Sequence, residues 1–106
     1  ALPLWLSPVQ VNIIPVNNEY HLEWCKGLYR DMDNMDIRVN LDDRDEKLSY
    51  KMRESQIKKV PYTLIIGDKE IEDNVISYRK HGEVKTSSMN RDLFIKMIGD
   101  SIRDRK

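Results

Sequence analysis

Apolar residues recur along this chain in two rhythms: a period of two in several short runs, and a period of three to four in three longer ones. Residues 9–14 alternate and then run apolar into Pro15, the pattern of a β-branched strand buried on both faces near its end. Asn17 or Asn18 then offers a cap ahead of Tyr20, Trp24, Cys25, Leu28, Met32 and Met35, whose spacing predicts a helix ending near Asn34. A short alternating strand follows over 37–41 and is closed by Asp42 and Asp43. From 46 to 59 there is neither Gly nor Pro, and Leu48, Met52, Ser55, Gln56 and Ile57 predict a second helix with a thin apolar stripe and a broad charged face, stopped by Pro61. Residues 62–66 form a third strand of the fully buried kind, ended by Gly67. Residues 70–74 read as a polar turn, 75–79 as a fourth strand, and a turn at His81-Gly82-Glu83 leads into a fifth strand over 84–87. Asn90 or Ser88 caps a last helix with Leu93, Phe94, Met97, Ile98 and Ile102 on one face.

Strands separated by helices pair in parallel through right-handed crossovers, whereas the short connection after the third strand adds the fourth antiparallel at one edge. The predicted fold class is therefore α/β: three layers, α/β/α, with a mixed, mostly five-stranded sheet and three helices.

Composition narrows what such a fold does. A chain of 106 residues supports one domain with one core. Its 18 basic and 18 acidic residues cancel, so contact with a polyanion must use one face and not the whole surface. The single cysteine, Cys25, excludes a disulfide framework and an all-cysteine metal site, and fits a reducing compartment, the cytoplasm by default. Residues 1–8 lack the cationic head and long apolar run of a secretion signal, and no apolar stretch reaches membrane-spanning length. Residues 1–8, with Pro3, Pro8, Trp5 and three leucines, read as an arm or linker from a preceding domain, the folded unit being 9–106.

Catalytic chemistry finds little support. His21 is one turn from Cys25, but the thiol lies on an apolar stripe, where a packed core residue is the better reading. His81 sits beside a glycine with no second metal ligand at the right spacing, the four glycines form no phosphate loop, and Asp42 and Asp43 read as a strand-end cap bonded toward Arg44. Charge is the stronger signal: residues 44–59 hold six basic side chains, Arg44, Lys47, Lys51, Arg53, Lys58 and Lys59, against three acidic ones. The loop after strand two, with Arg44 and Asp45, and the segment after strand three, with Asp68, Lys69 and Glu70, end up at the same sheet edge, where open parallel sheets bind ligands. Acidic groups there accept from base amino groups while Lys47, Lys51 and Arg53 neutralise phosphates, as splayed bases of an RNA loop require. Two other classes are a protein-interaction module docking through the arm and Trp5, and a small flavodoxin-like enzyme using Asp42, Asp43 and Cys25.

Several segments together resemble a known family. Val9-Gln10-Val11, Asp42-Asp43-Arg44-Asp45-Glu46-Lys47, Tyr50-Lys51-Met52-Arg53-Glu54, Val60-Pro61-Tyr62, Gly67-Asp68-Lys69-Glu70 and Ser77-Tyr78-Arg79 resemble the C-terminal anticodon-binding domain of bacterial-type threonyl-tRNA synthetases, class II aminoacyl-tRNA synthetases, over the whole chain. Related synthetases for proline, glycine and histidine share the fold, so another class II member is the alternative. The resemblance implies docking on the anticodon stem-loop of threonine tRNA and reading of its second and third anticodon bases, guanine and uracil. Carried over by position, Arg53, Lys59, Glu70 and Arg79 contact those bases or their phosphates. Asp45 stands where relatives usually carry asparagine, keeping an acceptor but losing a donor, and Lys59 where some carry arginine, losing a bidentate fork. The resemblance further implies that residues 1–8 lead from a catalytic core that carries the ATP, magnesium and zinc sites and forms the homodimer. The domain itself is then expected to hold no cofactor or catalytic residue, to stay off membranes and to be monomeric when isolated.

Overall fold

A computed structural model describes residues 2–105, so Ala1 and Lys106, the outer ends of the expected linker and domain, lie outside the described residues. The elements are β1 (Val11–Pro15), α1 (Asn18–Asn34), β2 (Val39–Leu41), α2 (Leu48–Ile57), β3 (Tyr62–Ile66), α3 (Asp68–Asp73), β4 (Val75–Lys80), β5 (Ser87–Asn90) and α4 (Arg91–Arg103), preceded by a 3-10 turn, Leu4–Leu6. The strand order is β2-β1-β3-β4-β5. β1 is parallel to both β2 and β3, with Ile13 opposite Leu41 and Leu64, while β4 and β5 are added antiparallel. The mixed five-stranded α/β sheet is thus the expected one.

Strand alternation assigns each side chain to a face. Val11, Ile13, Leu64, Ile66 and Ile76 face α1 and α4, where they pack with Cys25, Leu28, Met32, Phe94, Ile95 and Ile98 in one core. Tyr62, Tyr78 and Phe94 stack edge to face and tilted, with centroids 5.1–5.9 Å apart. On the other face lie Asn12, Thr63, Ile65, Ser77, Arg79 and Ser88, as their register requires. There α2 packs on β1 and bonds β3 through Ser55 Oγ and Thr63 Oγ1, 2.6 Å apart. The helices packed against β4 and β5 are α3 and α4, so α2 covers only half of this second face.

Caps set the helix ends. Asn17 Oδ1 accepts from Glu19 N–H to start α1, and Asn90 Oδ1 accepts from the N–H groups of Asp92 and Leu93 to start α4. α1 ends in a Schellman motif, with Asp36 at φ 61° and the buried Ile37 donating its N–H to Met32 O at 3.1 Å. The buried stripe of α1 is His21, Cys25, Leu28 and Met32, while Tyr20 and Met35 point to solvent.

Two elements differ from the sequence reading. The expected polar turn at 70–74 is largely α3, a fourth, short helix started by a glycine. The fifth strand forms over Ser87–Asn90 instead of 84–87, because pairing Met89 with Ile76 puts Met89 against the core, whereas Val84 has nothing to bury against and stays 90 % exposed. The arm, expected to be a linker, also bonds to this domain. The buried Gln10 donates from Nε2 to Leu4 O and accepts from Arg38 N–H, and Arg38 donates to Ser7 O and Trp5 O. No helix among the described residues is long and apolar enough to cross a membrane.

Candidate nucleic-acid interface

The β1–α1, β2–α2 and β3–α3 connections meet at the carboxyl edge of the parallel strands, as expected. The start of α1 links them: Asn18 Nδ2 donates to Asp43 O at 2.7 Å, and His21 bonds Asp68 at 2.6 Å. His21 Nδ1 accepts from Asn17 N–H, so it is the Nε2–H that donates to Asp68 Oδ1.

The six basic residues of 44–59 do not form one cationic surface. Arg44 holds Asp42 with a two-bond fork, 2.8 Å at each bond, and reaches Glu54 at 2.9 Å, while Lys58 meets Glu54 at 3.2 Å. The fork from Arg44 holds the carboxyl of Asp42, a buried residue, below the ordinary aspartate range, and Arg44 followed by Lys58 does the same for Glu54. Lys51, expected on a phosphate, is 3 % exposed and donates from Nζ to Asp42 O at 3.1 Å. This corrects the expected phosphate contact: the side chain is buried and its ammonium is spent on the chain's own carbonyl. Among the described residues, the exposed cations of this segment without an ion pair are Lys47, Arg53 and Lys59.

Glu70 and Arg79 are both tied to the half of the sheet that α2 leaves open, Glu70 through Ser77 and Arg79 by its register on β4, while Arg53 lies on the flank of α2 toward the 82–84 turn. Glu70, in the first turn of α3, accepts from Gly67 N–H at 2.7 Å with Oε1 and from Ser77 Oγ at 2.9 Å with Oε2. Ser77 and Arg79 are two apart on β4 and so share that open face. Arg79 donates to Thr86 Oγ1 at 3.1 Å, and its Nε is buried without a partner. One flank of α2 faces β2 and carries Glu54 and Lys58; the other carries Arg53 and Gln56, which line a cavity of about 400 Å³ with His81 and the 82–84 turn. His81 Nδ1 is likewise buried and unpartnered. Buried polar groups are seldom left unmet, and one of these, His81, lines the cavity beside Arg53. Arg79 forms no ion pair with Glu70 among the described residues, although both lie on one face.

The remaining expected residues lie apart. Asp45 and Lys47 are exposed in the β2–α2 loop, Asp45 lining a polar cleft with Asn17, Asn18 and Lys51. Lys59 sits at the opposite edge, just past α2, beside Pro8 and Val9. It occupies the left-handed position of a Schellman cap, φ 58°, with Val60 N–H bonded to Ser55 O at 3.2 Å. A lysine there is strained where glycine is not, so Lys59→Gly should raise unfolding free energy by about 1 kcal/mol. The same variant should bind RNA more weakly if the side chain meets a phosphate. Denaturant melts and a binding titration read these opposite signs.

Sequence reasoning missed Ser77 and Thr86, which fix Glu70 and Arg79, and the His21–Asp68 bond. Gly67 followed three residues later by Glu70 was the available signal, since Gly at a cap with Glu at the third helical position starts a helix. Cys25 is fully buried, and burial pushes its thiol up to about 12, which removes it as a nucleophile. Asp42 is likewise engaged by Arg44, so of the three residues of the flavodoxin-like reading only Asp43 is left exposed. No metal-ligating cluster occurs among the described residues. Trp5 is half-buried, with Arg105 over its ring at 5.0 Å.

A family model described as "Anticodon binding domain" matches residues 10–100. Threonine–tRNA ligase of Halalkalibacterium halodurans is 49 % identical over 98 residues, 92 % of this chain and 15 % of that protein. That of Oceanobacillus iheyensis is 44 % identical over 106 residues, all of this chain and 16 % of that protein. The chain thus spans about a sixth of the length of these relatives. The crystal structure of the RNA binding domain of threonyl-tRNA synthetase from Cryptosporidium parvum superposes with a TM-score of 0.86 at 26 % identity, covering 93 % of this chain and 25 % of that one.

Proposed function

Because the chain belongs to the anticodon-binding domain family, we propose that it is the part of a threonine–tRNA ligase that grips the anticodon stem-loop of threonine tRNA. The rest of that enzyme then attaches threonine in an ATP-dependent reaction. One observation carries the reading: a half-open sheet face on which an acceptor, Glu70, and a donor fork, Arg79, are held by neutral hydroxyls instead of by each other, beside the unpaired Arg53. Glu70 and Arg79 read base edges, Arg53 and Lys59 meet phosphates, and Asp45 and Lys47 flank the RNA at the carboxyl edge. Lys51 acts from inside, holding the β2–α2 loop to its helix. On this reading the domain needs no cofactor of its own; ATP, magnesium and zinc serve the catalytic core. The domain is a monomeric unit of a cytoplasmic enzyme that dimerises elsewhere. The names of the relatives favour threonine over the other class II synthetases.

The pairing pattern makes the electrostatics testable. With Arg53, Lys59 and the flanking Lys47 each on a phosphate, the slope of log affinity against log salt for an anticodon stem-loop should be about −2, at about 0.7 per neutralised phosphate of a single strand. Arg53→Ala should flatten it by about 0.7. Fluorescence anisotropy with a labelled stem-loop at several salt concentrations measures both. A slope near zero in the native domain contradicts the reading.

A further inference from the structure

The carboxylate of Glu70 is held with unusual completeness for a side chain in the first turn of a six-residue helix. Oε1 accepts from Gly67 N–H at 2.7 Å and Oε2 from Ser77 Oγ at 2.9 Å. Gly67 contributes a third constraint by what it lacks: a Cβ there would stand 3.2 Å from Glu70 Oε1 and 3.4 Å from Val16 Cγ2. A side chain at 67 would require the carboxylate to give by a few tenths of an ångström.

The Ser77 bond is the one that helix geometry does not explain. A carboxylate at the third helical position folds back on the cap N–H without help, but its second oxygen is free to turn. The most attractive partner nearby is the guanidinium of Arg79, two residues from Ser77 on the same face. An acid and an arginine so placed ordinarily join in a charge-assisted fork. Here they do not: the serine hydroxyl takes the carboxylate, Thr86 Oγ1 takes the guanidinium, and no ion pair joins Glu70 to Arg79 among the described residues.

We propose that Ser77 is a positioning residue for base recognition, whose hydroxyl keeps the Glu70 carboxylate off Arg79 and aimed at two adjacent N–H donors of a nucleobase. The inference rests on the reading of this face as an RNA site. Each oxygen of an ionised carboxylate accepts more than one bond, so with one protein donor on each, both keep acceptor capacity directed outward. Guanine is the nucleobase that offers two neighbouring N–H donors, N1–H and the 2-amino group, on its pairing edge, while its O6 and N7 accept from an arginine fork. Without Ser77 the carboxylate turns to Arg79, and acceptor and donor cancel.

The test compares two stem-loops that differ by one amino group, guanine against hypoxanthine at the same anticodon position, in the native domain, Ser77→Ala and Ser77→Thr. The native domain should prefer guanine, and Ser77→Ala should lose most of that preference, about tenfold, with an unchanged salt slope and thermal midpoint. Ser77→Thr, which restores the hydroxyl and suits a strand, should recover it. A hydroxyl that merely steadied the fold would lower both affinities together. Undiminished guanine preference in Ser77→Ala overturns the positioning role while the RNA reading stands. A native domain indifferent to the amino group removes Glu70 as the reader, and the role of Ser77 with it.

Discussion

Glu70→Gln lowers affinity for a stem-loop carrying the cognate guanine by about 10- to 100-fold, the worth of about 1–3 kcal/mol of a two-bond base contact. Affinity for the same loop with adenine in that place changes little. The glutamine keeps an acceptor for Gly67 N–H, so α3 still starts where it does. What changes is the second atom: an amide NH₂ replaces Oε2, meets Ser77 with a donor and faces the base with a donor against donors. Leaving such groups unmatched is more costly than losing a bond outright. Isothermal titration with the two loops separates this outcome from a general loss of structure, which weakens both equally.

Asp42→Asn destabilises the domain by about 2 kcal/mol at neutral pH, and the difference from the native protein shrinks as the solution is acidified. Asp42 is buried, gripped by the Arg44 fork, and its backbone carbonyl holds Lys51. Its folded pKa lies below the ordinary value, chiefly through the Arg44 bond. A group depressed on folding contributes stability that is complete above its unfolded pKa, about 3.9, and is lost as pH falls from there through the folded value. Native and variant stabilities, measured by urea unfolding across that range, should therefore converge below about pH 4. A constant gap at every pH means that packing, not the ion pair, carries the effect. The node matters for function because it fixes the β2–α2 loop and the start of the helix that presents Arg53.

Where one signal dominates, the sequence was enough to read the structure. β3 and α1 are bounded by a proline or an asparagine cap and filled by apolar residues of one period, so their place and type followed from spacing. β5 did not, because Val84 and Met89 both offer an apolar residue to the edge, and only the register with Ile76 decides between them. α3 was hidden by its acidic composition, which reads as a turn unless the Gly67–Glu70 spacing is noticed. At the site, residue types pointed to RNA, but pairing is invisible in one dimension. Nothing in the order of residues 44–59 says that Arg44 and Lys58 are consumed by Asp42 and Glu54, or that Lys51 turns inward. The cationic helix is in fact a structural network with Arg53 left over on the flank toward the open sheet. The resemblance pointed to Glu70 and Arg79, and the hydroxyls that hold them emerged only from the fold.

The most direct measurement is a titration of the ¹⁵N-labelled domain with an anticodon stem-loop, following backbone and side-chain amide shifts. An RNA lying on the open half of the sheet moves signals of Arg53, Glu70, Ser77, Arg79 and Thr86, and leaves Leu28, Met32 and Ile98 beneath α1 and α4 unmoved. Shifts confined to the other flank of α2, at Asn12, Asn40 and Leu41, or to the outer surfaces of α1 and α4, would contradict the account.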